Sequence, residues 1–478
     1  MHFLSLIRGS LFMKLLSKAI AVALVSCGMS AAAHAGSFVV QANSNAFDSK
    51  LATQLEAAGG RVVTRIDQLG IAIVESDDSG FASRASRIPG LRSVVADIVV
   101  PFDLGEAVDL APAAYANPPL ATGMDQFFNL QWGHAAVDAA GAWNVGQLGE
   151  GATVAVLDSG VRCNHPDLAA NVLVTKAKSF VPGELGCNTS TSQSGHGTHV
   201  AGTIAAPMTM AGVNSGVIGV APKARIIPVK VLSAVSGNGS FGGIIQGIVY
   251  AADAGANVIN MSLGVRGGLA IGGNEVAELV NATARATRYA RAKGALVVAS
   301  AGNDGMNLDA TSGLQGCTAA GDCSRYNLRA FPAELPGVLA ISATAPVGWA
   351  KAPTTTKLDG IATYSNFGRS AVDLAAPGGD GAYEGTDNCR VGGLTNACWV
   401  FDMVLSTTMG GWGWMAGTSM AAPHVSGVAA LVYAKHGGNI SPAQVESILR
   451  RSAESPSGTG MDVHLGHGRV NAARAVAY

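Results

Sequence analysis

Ser419 heads the stretch GTSMAAPHVSG (417–427), where one hydroxyl precedes small residues that run into an apolar helix. Serine at a helix start ordinarily caps backbone N–H groups, so these eleven residues leave two readings open, cap or nucleophile. A nucleophilic serine needs a base, because its hydroxyl is weak until a neighbour takes the proton. His424 cannot serve: five residues along a helix place it about 140° around the axis. SGHGTHVAG (194–202) offers His196 and His199, three apart on one helical face. A metal site there would need a third ligand, and no fitting local motif supplies one; a pair of packing histidines is the other alternative. Glycines on both sides of His196 let its backbone approach another segment closely. That favours His196 as the base, with His199 in a supporting or structural place.

A histidine base needs an acceptor on its far nitrogen. TVAVLDSG (153–160) carries Asp158 at the end of an apolar strand, and carboxylates are rarely buried unpaired. Asp158 would hold the tautomer of His196 and stabilise its protonated form; a turn or helix cap is the plainer reading. In VVASAGNDG (297–305) the run ends at Asn303, a residue type common in turns. Beside a nucleophile its side-chain N–H would instead serve a developing oxyanion, an effect of about 3 to 4 kcal/mol in a comparable site. The backbone N–H of Ser419 and the dipole of its helix act in the same direction.

Six Val/Ile/Leu-rich runs must position these groups: TVAVLDSG, RIIPVKVL, NVINMSLG, ALVVASAGN, VLAISAT and VDLAAPG. Short continuous apolar runs between helical stretches predict a parallel sheet buried on both faces. Ligands of such sheets sit at the carboxyl ends of the strands, where Asp158, Ser262 and Asn303 fall. Residues 37–100 have their own pattern, βαββαβ, which predicts a small ferredoxin-like unit. Residues 101–124 break the periodicity with Pro, Ala and Gly and read as a linker.

Of 478 residues, 13% are charged and 48% hydrophobic, 62 are Gly, and the formal net charge is −1. That composition describes a turn-rich α/β protein with a large core, and it offers no basic field for nucleic acid. Arg8, Lys14 and Lys18 ahead of AIAVALVSCGMSAAA, followed by Ala33-His34-Ala35, read as an export signal, with Met1 or Met13 as the start. Cys27 in LVSC resembles a lipoprotein box, so a lipid-anchored precursor is the alternative to plain secretion. Removing the signal leaves six of seven cysteines. Proximity suggests the disulfides Cys163–Cys187, Cys317–Cys323 and Cys389–Cys398 out of about 15 pairings, free buried thiols being the alternative.

AVLDSGV, GHGTHVAG, SAGN and GTSMAAPHVSG, in that chain order, resemble the subtilisin-like serine endopeptidases, the subtilases. The resemblance spans about residues 125–478 and implies Asp158, His196 and Ser419 as the triad, with Asn303 as the oxyanion residue. It implies an α/β parallel-sheet catalytic domain flanked by helices, preceded by a small ferredoxin-like α+β propeptide. The expected division is a signal at 1–35, propeptide and linker at 36–120, and peptidase domain at 121–478, with no appended C-terminal domain. Ser262, Leu263 and Gly264, together with Gly237, Gly239 and Phe241, resemble the strands between which the family clamps an extended peptide. Phe241 would line the pocket for the substrate's fourth residue, and Ser300, Ala301 and Gly302 the first pocket. Met420 would make the enzyme oxidisable.

The expected partners are polypeptide substrates and the chain's own propeptide as intramolecular inhibitor, in a monomer. Asp167 and Asn214 loosely match the family's structural calcium site, although the loop is a residue short; no cofactor is expected for catalysis. Insertions around 306–330 and 379–403 are expected to rim the cleft or decorate the surface. Activity is expected to fall as His196 protonates, giving a neutral to alkaline optimum. A silent member acting as a binding module would lack part of this set. An α/β-hydrolase esterase would need a second glycine after Ser419 and another triad order. A metalloprotease would be inactivated by a chelator.

Overall fold

Alternation within the apolar runs sets the layers of the molecule. A computed structural model describes residues 36–105, 107–110, 125–209, 216–312, 314–317, 323–391, 393–455 and 460–478. The export signal, both candidate start residues, Cys27 and Asn214 lie outside them. The N-terminal unit comprises β1 (Gly36–Ala42), α1 (Ser49–Ala57), β2 (Arg61–Ile66), β3 (Ile71–Ser76), α2 (Phe81–Ala85) and β4 (Leu91–Ala96). Its antiparallel sheet has the order β2-β3-β1-β4, with β1 central, as the βαββαβ pattern predicts. Successive side chains point to opposite faces: Val40, Val74 and Phe81 pack with Leu51 and Leu55 of α1, while Val39, Ile71 and Ile73 face the larger domain.

The chain then crosses the larger domain. β5 (Val99–Pro101) and β6 (Val108–Asp109) lie within or beside the stretch read as a linker, and residues 106 and 111–124 fall outside the described ones. Part of the stretch read as a linker is therefore held by strand pairing.

All six apolar runs form strands, in parallel: β7 (Thr153–Asp158), β8 (Arg225–Lys230), β10 (Val258–Met261), β11 (Leu296–Ser300), β12 (Val338–Ala345) and β13 (Leu374–Pro377). β7 lies between β8 and β10, and β11, β12 and β13 follow outward. Residues 178–179 extend the sheet in parallel and 360–361 close it antiparallel. Val154 and Val156 face α3 (His196–Ala205) and α6 (Thr418–Lys435). Ala155 and Leu157 face α4 (Phe241–Asp253) and α5 (Asn274–Ala292) on the other side. Between β8 and α4 lies the short strand β9 (Asn238–Ser240). The small domain covers α4 and α5: Asp97 Oδ1 accepts from Gly242 N at the start of α4 (2.8 Å), and Glu278 on α5 receives Gln41 and Arg92.

Cys163–Cys187 and Cys389–Cys398 are disulfide-bonded. Cys317 stands opposite Cys323 in backbone register, and their side chains lie outside the described ones. Among the described residues no helix is long and apolar enough to cross a membrane.

Every residue from Thr418 to Tyr433 of α6 is buried, as expected for a helix that is apolar all round. Three histidines share that interior. His424 faces His134 at 5.7 Å between ring centroids, and each has an Nε2 without a partner among the described residues; His199 Nε2 meets Val404 O. Burial drives His134 and His199 down to about 3 and His424 to about 4. The unfolded chain takes up these protons near pH 6.5 and the folded chain only below 4. Stability from the neutral rings is therefore fully present above pH 6.5 and is lost as pH falls towards 4. In a Ser419→Ala background, His134→Met is expected to flatten unfolding free energy against pH between 4.5 and 6 by about 1.4 kcal/mol per pH unit, one proton's worth, read by urea titration.

Candidate active site

The site is assembled where β7, α3, β11 and α6 end or begin. Asp158, the last residue of β7, is fully buried, and His196, the first residue of α3, is 1% exposed. His196 Nδ1 lies 2.8 Å from Asp158 Oδ1 and 3.0 Å from Oδ2. Ser159 N donates to the same carboxylate at 2.7 Å. Charge-assisted bonds of this kind compensate a carboxylate removed from water. The approach requires Gly197: a Cβ there would stand 2.4 Å from Gly160 O and 3.0 Å from Asp158 Cβ. The far nitrogen, His196 Nε2, is buried and without a partner among the described residues.

Ser419 is the second residue of α6, behind Gly417 at the cap and Thr418. The capping reading of Ser419 is therefore not what the fold uses. Its hydroxyl donates to Ser262 O at 3.2 Å, and Ser262 Oγ donates to Ser419 O at 2.7 Å. Proline four residues on explains the second bond: Pro423 has no N–H to give the Ser419 carbonyl, and Ser262 satisfies it. Ser262 Oγ in turn receives from Asn260 Nδ2 at 2.9 Å.

Asn303 sits beyond β11, with its Oδ1 accepting from Thr418 N (2.9 Å) and Thr418 Oγ1 (2.7 Å). Holding the oxygen this way turns the amide nitrogen, the donor end, away from Thr418. Gly302, at φ +102°, donates to Thr418 Oγ1, and a Cβ there would meet Asn366 Nδ2 at 2.5 Å. Asn366 also receives Asp304 N and Met306 N and donates to Ala301 O. Thr418 is within a motif that the sequence singled out, although its role is not legible there; Asn366 carries no sequence signal.

A cleft lined by Gly264, Ser300, Gly302, Asn303, Thr418 and Ser419 opens at this point. Asp103, Val265, Arg266 and Asp304 line it too, and none of these four was anticipated. Gly237 and Gly239 are met by the chain's own N-terminal part: β5 pairs antiparallel with β9, placing Gly239 opposite Val100, and Phe102 N donates to Gly237 O at 3.2 Å. On the other side Phe102 bridges Val265, directly after Gly264. Leu263 and Phe241 are fully buried, the latter packed against Phe331 with the rings tilted 43° to each other. Both belong to the same hydrophobic cluster as Phe102. Downstream, β6 pairs with β14 (Trp412–Met415), next to α6.

The Asp167 carboxyl, also fully buried, accepts from Val217 N and Trp412 Nε1 through Oδ2, while Oδ1 lacks a partner among the described residues. Burial, opposed by those bonds and reinforced by the charge of Asp125, pushes it up to about 8. A partnerless buried oxygen beside a second carboxylate fits a hard cation with oxygen ligands. The signal for Asp125 was missed because it lies apart from the NHPDL stretch that holds Asp167.

Residues 149–468 match the Subtilase family. The chain belongs to the subtilases. It is 34% identical over 352 residues to thermitase of Thermoactinomyces vulgaris, covering 74% of this chain and 98% of that one. It is 35% identical over 348 residues to subtilisin Savinase of Lederbergia lenta, covering 73% and 98%. Among solved structures, the epidermin leader peptide processing serine protease of Staphylococcus aureus shares the fold at a TM-score of 0.69 and 23% identity, over 92% of this chain and 99% of that one. Fervidolysin of Fervidobacterium pennivorans aligns at 0.65 and 25% identity, over 93% and 61%. As a subtilase the protein is a serine endopeptidase, and the buried pair of Asp158 and His196 is consistent with that family's triad. Gly197→Ala should force this pair apart. The expected outcome is a loss on the order of a hundredfold in kcat/KM, what a misplacement of about an ångström in the catalytic geometry can cost, together with loss of the low-field proton resonance of His196 Nδ1.

Proposed function

We propose that this chain is made as a secreted zymogen whose peptidase domain hydrolyses polypeptides through an acyl-enzyme on Ser419. The observation that carries the reading is the buried contact of His196 Nδ1 with Asp158, which leaves Nε2 unpaired in a molecule whose cleft holds Ser419 and Asn303. The Ser419 hydroxyl turns from Ser262 O to His196 Nε2 when substrate arrives, since such bonds tighten only in the substrate complex. Oγ bonds to the scissile carbonyl carbon as its proton passes to Nε2. The carbonyl oxygen becomes an oxyanion, met by Asn303 Nδ2 and the backbone N–H of Ser419. Collapse breaks the C–N bond, and the leaving amine takes the proton from His196. Water then repeats the sequence on the acyl-enzyme and restores Ser419. Asp158 keeps the imidazole oriented throughout.

Residues 36 to about 120 act, in this reading, as an inhibitory propeptide. The pairing of β5 with β9 and of Phe102 with Val265, together with the cover over α4 and α5, supports it. Ser419→Ala is expected to accumulate as an uncut chain and to lose casein hydrolysis by at least a thousandfold. A serine-directed phosphonyl reagent should label the wild type at Ser419. An undiminished Ser419→Ala enzyme would sink the assignment.

Asp167, with Asp125 and Asn214, would hold a structural calcium ion that takes no part in the chemistry. Ligand carboxylates must be ionised to bind it, so added calcium should raise Tm more at pH 9 than at pH 7. Asp167→Asn should abolish that increment in a thermal melt.

A further inference from the structure

We propose that Arg266 makes this protease select an acidic side chain at the substrate position that Asp103 occupies in the structure. The inference rests on the protease reading above and names a substrate class for the same cleft. Phe102, held between Gly237 and Val265, fixes the chain so that the next residue, Asp103, lies against the cleft of Ser419. Arg266 Nη2 donates to Asp103 Oδ1 at 2.8 Å. Burial would raise the Asp103 carboxyl, but the bond and charge of Arg266, with bonds from Gly105 and Asn303, hold it below its ordinary value. The position therefore keeps a carboxylate ionised at the lip of the site.

Asp304 is the competing charge, because it lies close enough to act on both Arg266 and Asp103. Its Oδ1 already accepts Gly267 N at 2.8 Å, and burial, followed by the charge of Asp103, raises its carboxyl. A guanidinium stays charged at every working pH. The group that bonds a side chain at this position is the Arg266 guanidinium, while Asp304 is engaged by Gly267 N: an acidic residue gains a partner, a neutral one does not, and a lysine meets repulsion. The Arg266 side chain is 63% exposed and that of Asp103 32%, so solvent screens the pair, and a selectivity of about fivefold, an exposed ion pair's worth, is expected.

The test uses enzyme obtained from the full chain and three internally quenched peptides with the sequence of residues 99–109, carrying Asp, Asn or Lys in the place of Asp103. In the wild type kcat/KM should rank Asp over Asn by about fivefold and Asn over Lys, with the spread shrinking as salt rises. Arg266→Gln should bring the three together, and Arg266→Glu should place Lys above Asp. Equal rates for the three peptides in the wild type, or an unchanged ranking in Arg266→Glu, overturns the proposal. So does labelling of Ser419 by the phosphonyl reagent with none of the peptides cleaved, which leaves the protease reading intact. Failure of both labelling and cleavage overturns that reading and this inference with it.

Discussion

A carboxylate with no access to water must find partners inside the protein, and Asp158 imposes that condition on everything around it. It ends a strand whose neighbours on both sides are also buried, so no solvent reaches it along the sheet. Its compensation comes from Ser159 and from a ring delivered by another element, His196 at the first position of α3. The helix start can come this close only because residue 197 has no side chain to strike Gly160 and Asp158. Desolvation strengthens the bond and also fixes the ring, because an imidazole held on one edge presents the other edge in one direction. The apolar layers on both faces of β7 are, in this sense, part of the site.

The helix of Ser419 is placed by a related economy. Pro423 deprives the Ser419 carbonyl of its helical donor, and Ser262, just after β10, supplies one. The same serine offers its own carbonyl to the Ser419 hydroxyl. Two segments far apart in sequence are thereby locked, in part by the carbonyl that a proline leaves unsatisfied. Thr418 does the equivalent work on the other side, clasping Asn303 and Gly302. Ser419 is thus held between the strand ends of β10 and β11 by backbone accounting, without acting as a helix cap itself.

What could be read from the sequence follows from the range of the interactions. The six parallel strands and the small βαββαβ unit were legible because their signal is local: runs of apolar residues, or their alternation. Asp158, His196, Ser419 and Asn303 stood out as candidates because each closes such a run or heads a helix amid glycines. Thr418 and Asn366 were not, since a hydroxyl or amide serving as a clasp looks like any other until its distant partner is known. β6 escaped because two residues in a Pro- and Ala-rich stretch carry no period, and their pairing depends on Trp412–Met415, some 300 residues on. Arg266, on an exposed loop, acquires meaning only from the carboxylate opposite it.

The path of residues 99–110 separates two events that are easily taken as one. The upstream part is strand-paired to β9 and continuous with a domain resting on α4 and α5; the downstream part is strand-paired to β14. In the zymogen reading proposed for this chain, a single cut between them would leave each new end tethered by its own backbone pairing. Severing the chain and vacating the cleft then have different rates, the first set by chemistry and the second by dissociation of a folded unit from two helices. Onset of activity would show a lag whose length tracks the stability of the small domain and its grip on Gly242 and Glu278, rather than the turnover rate of the site itself.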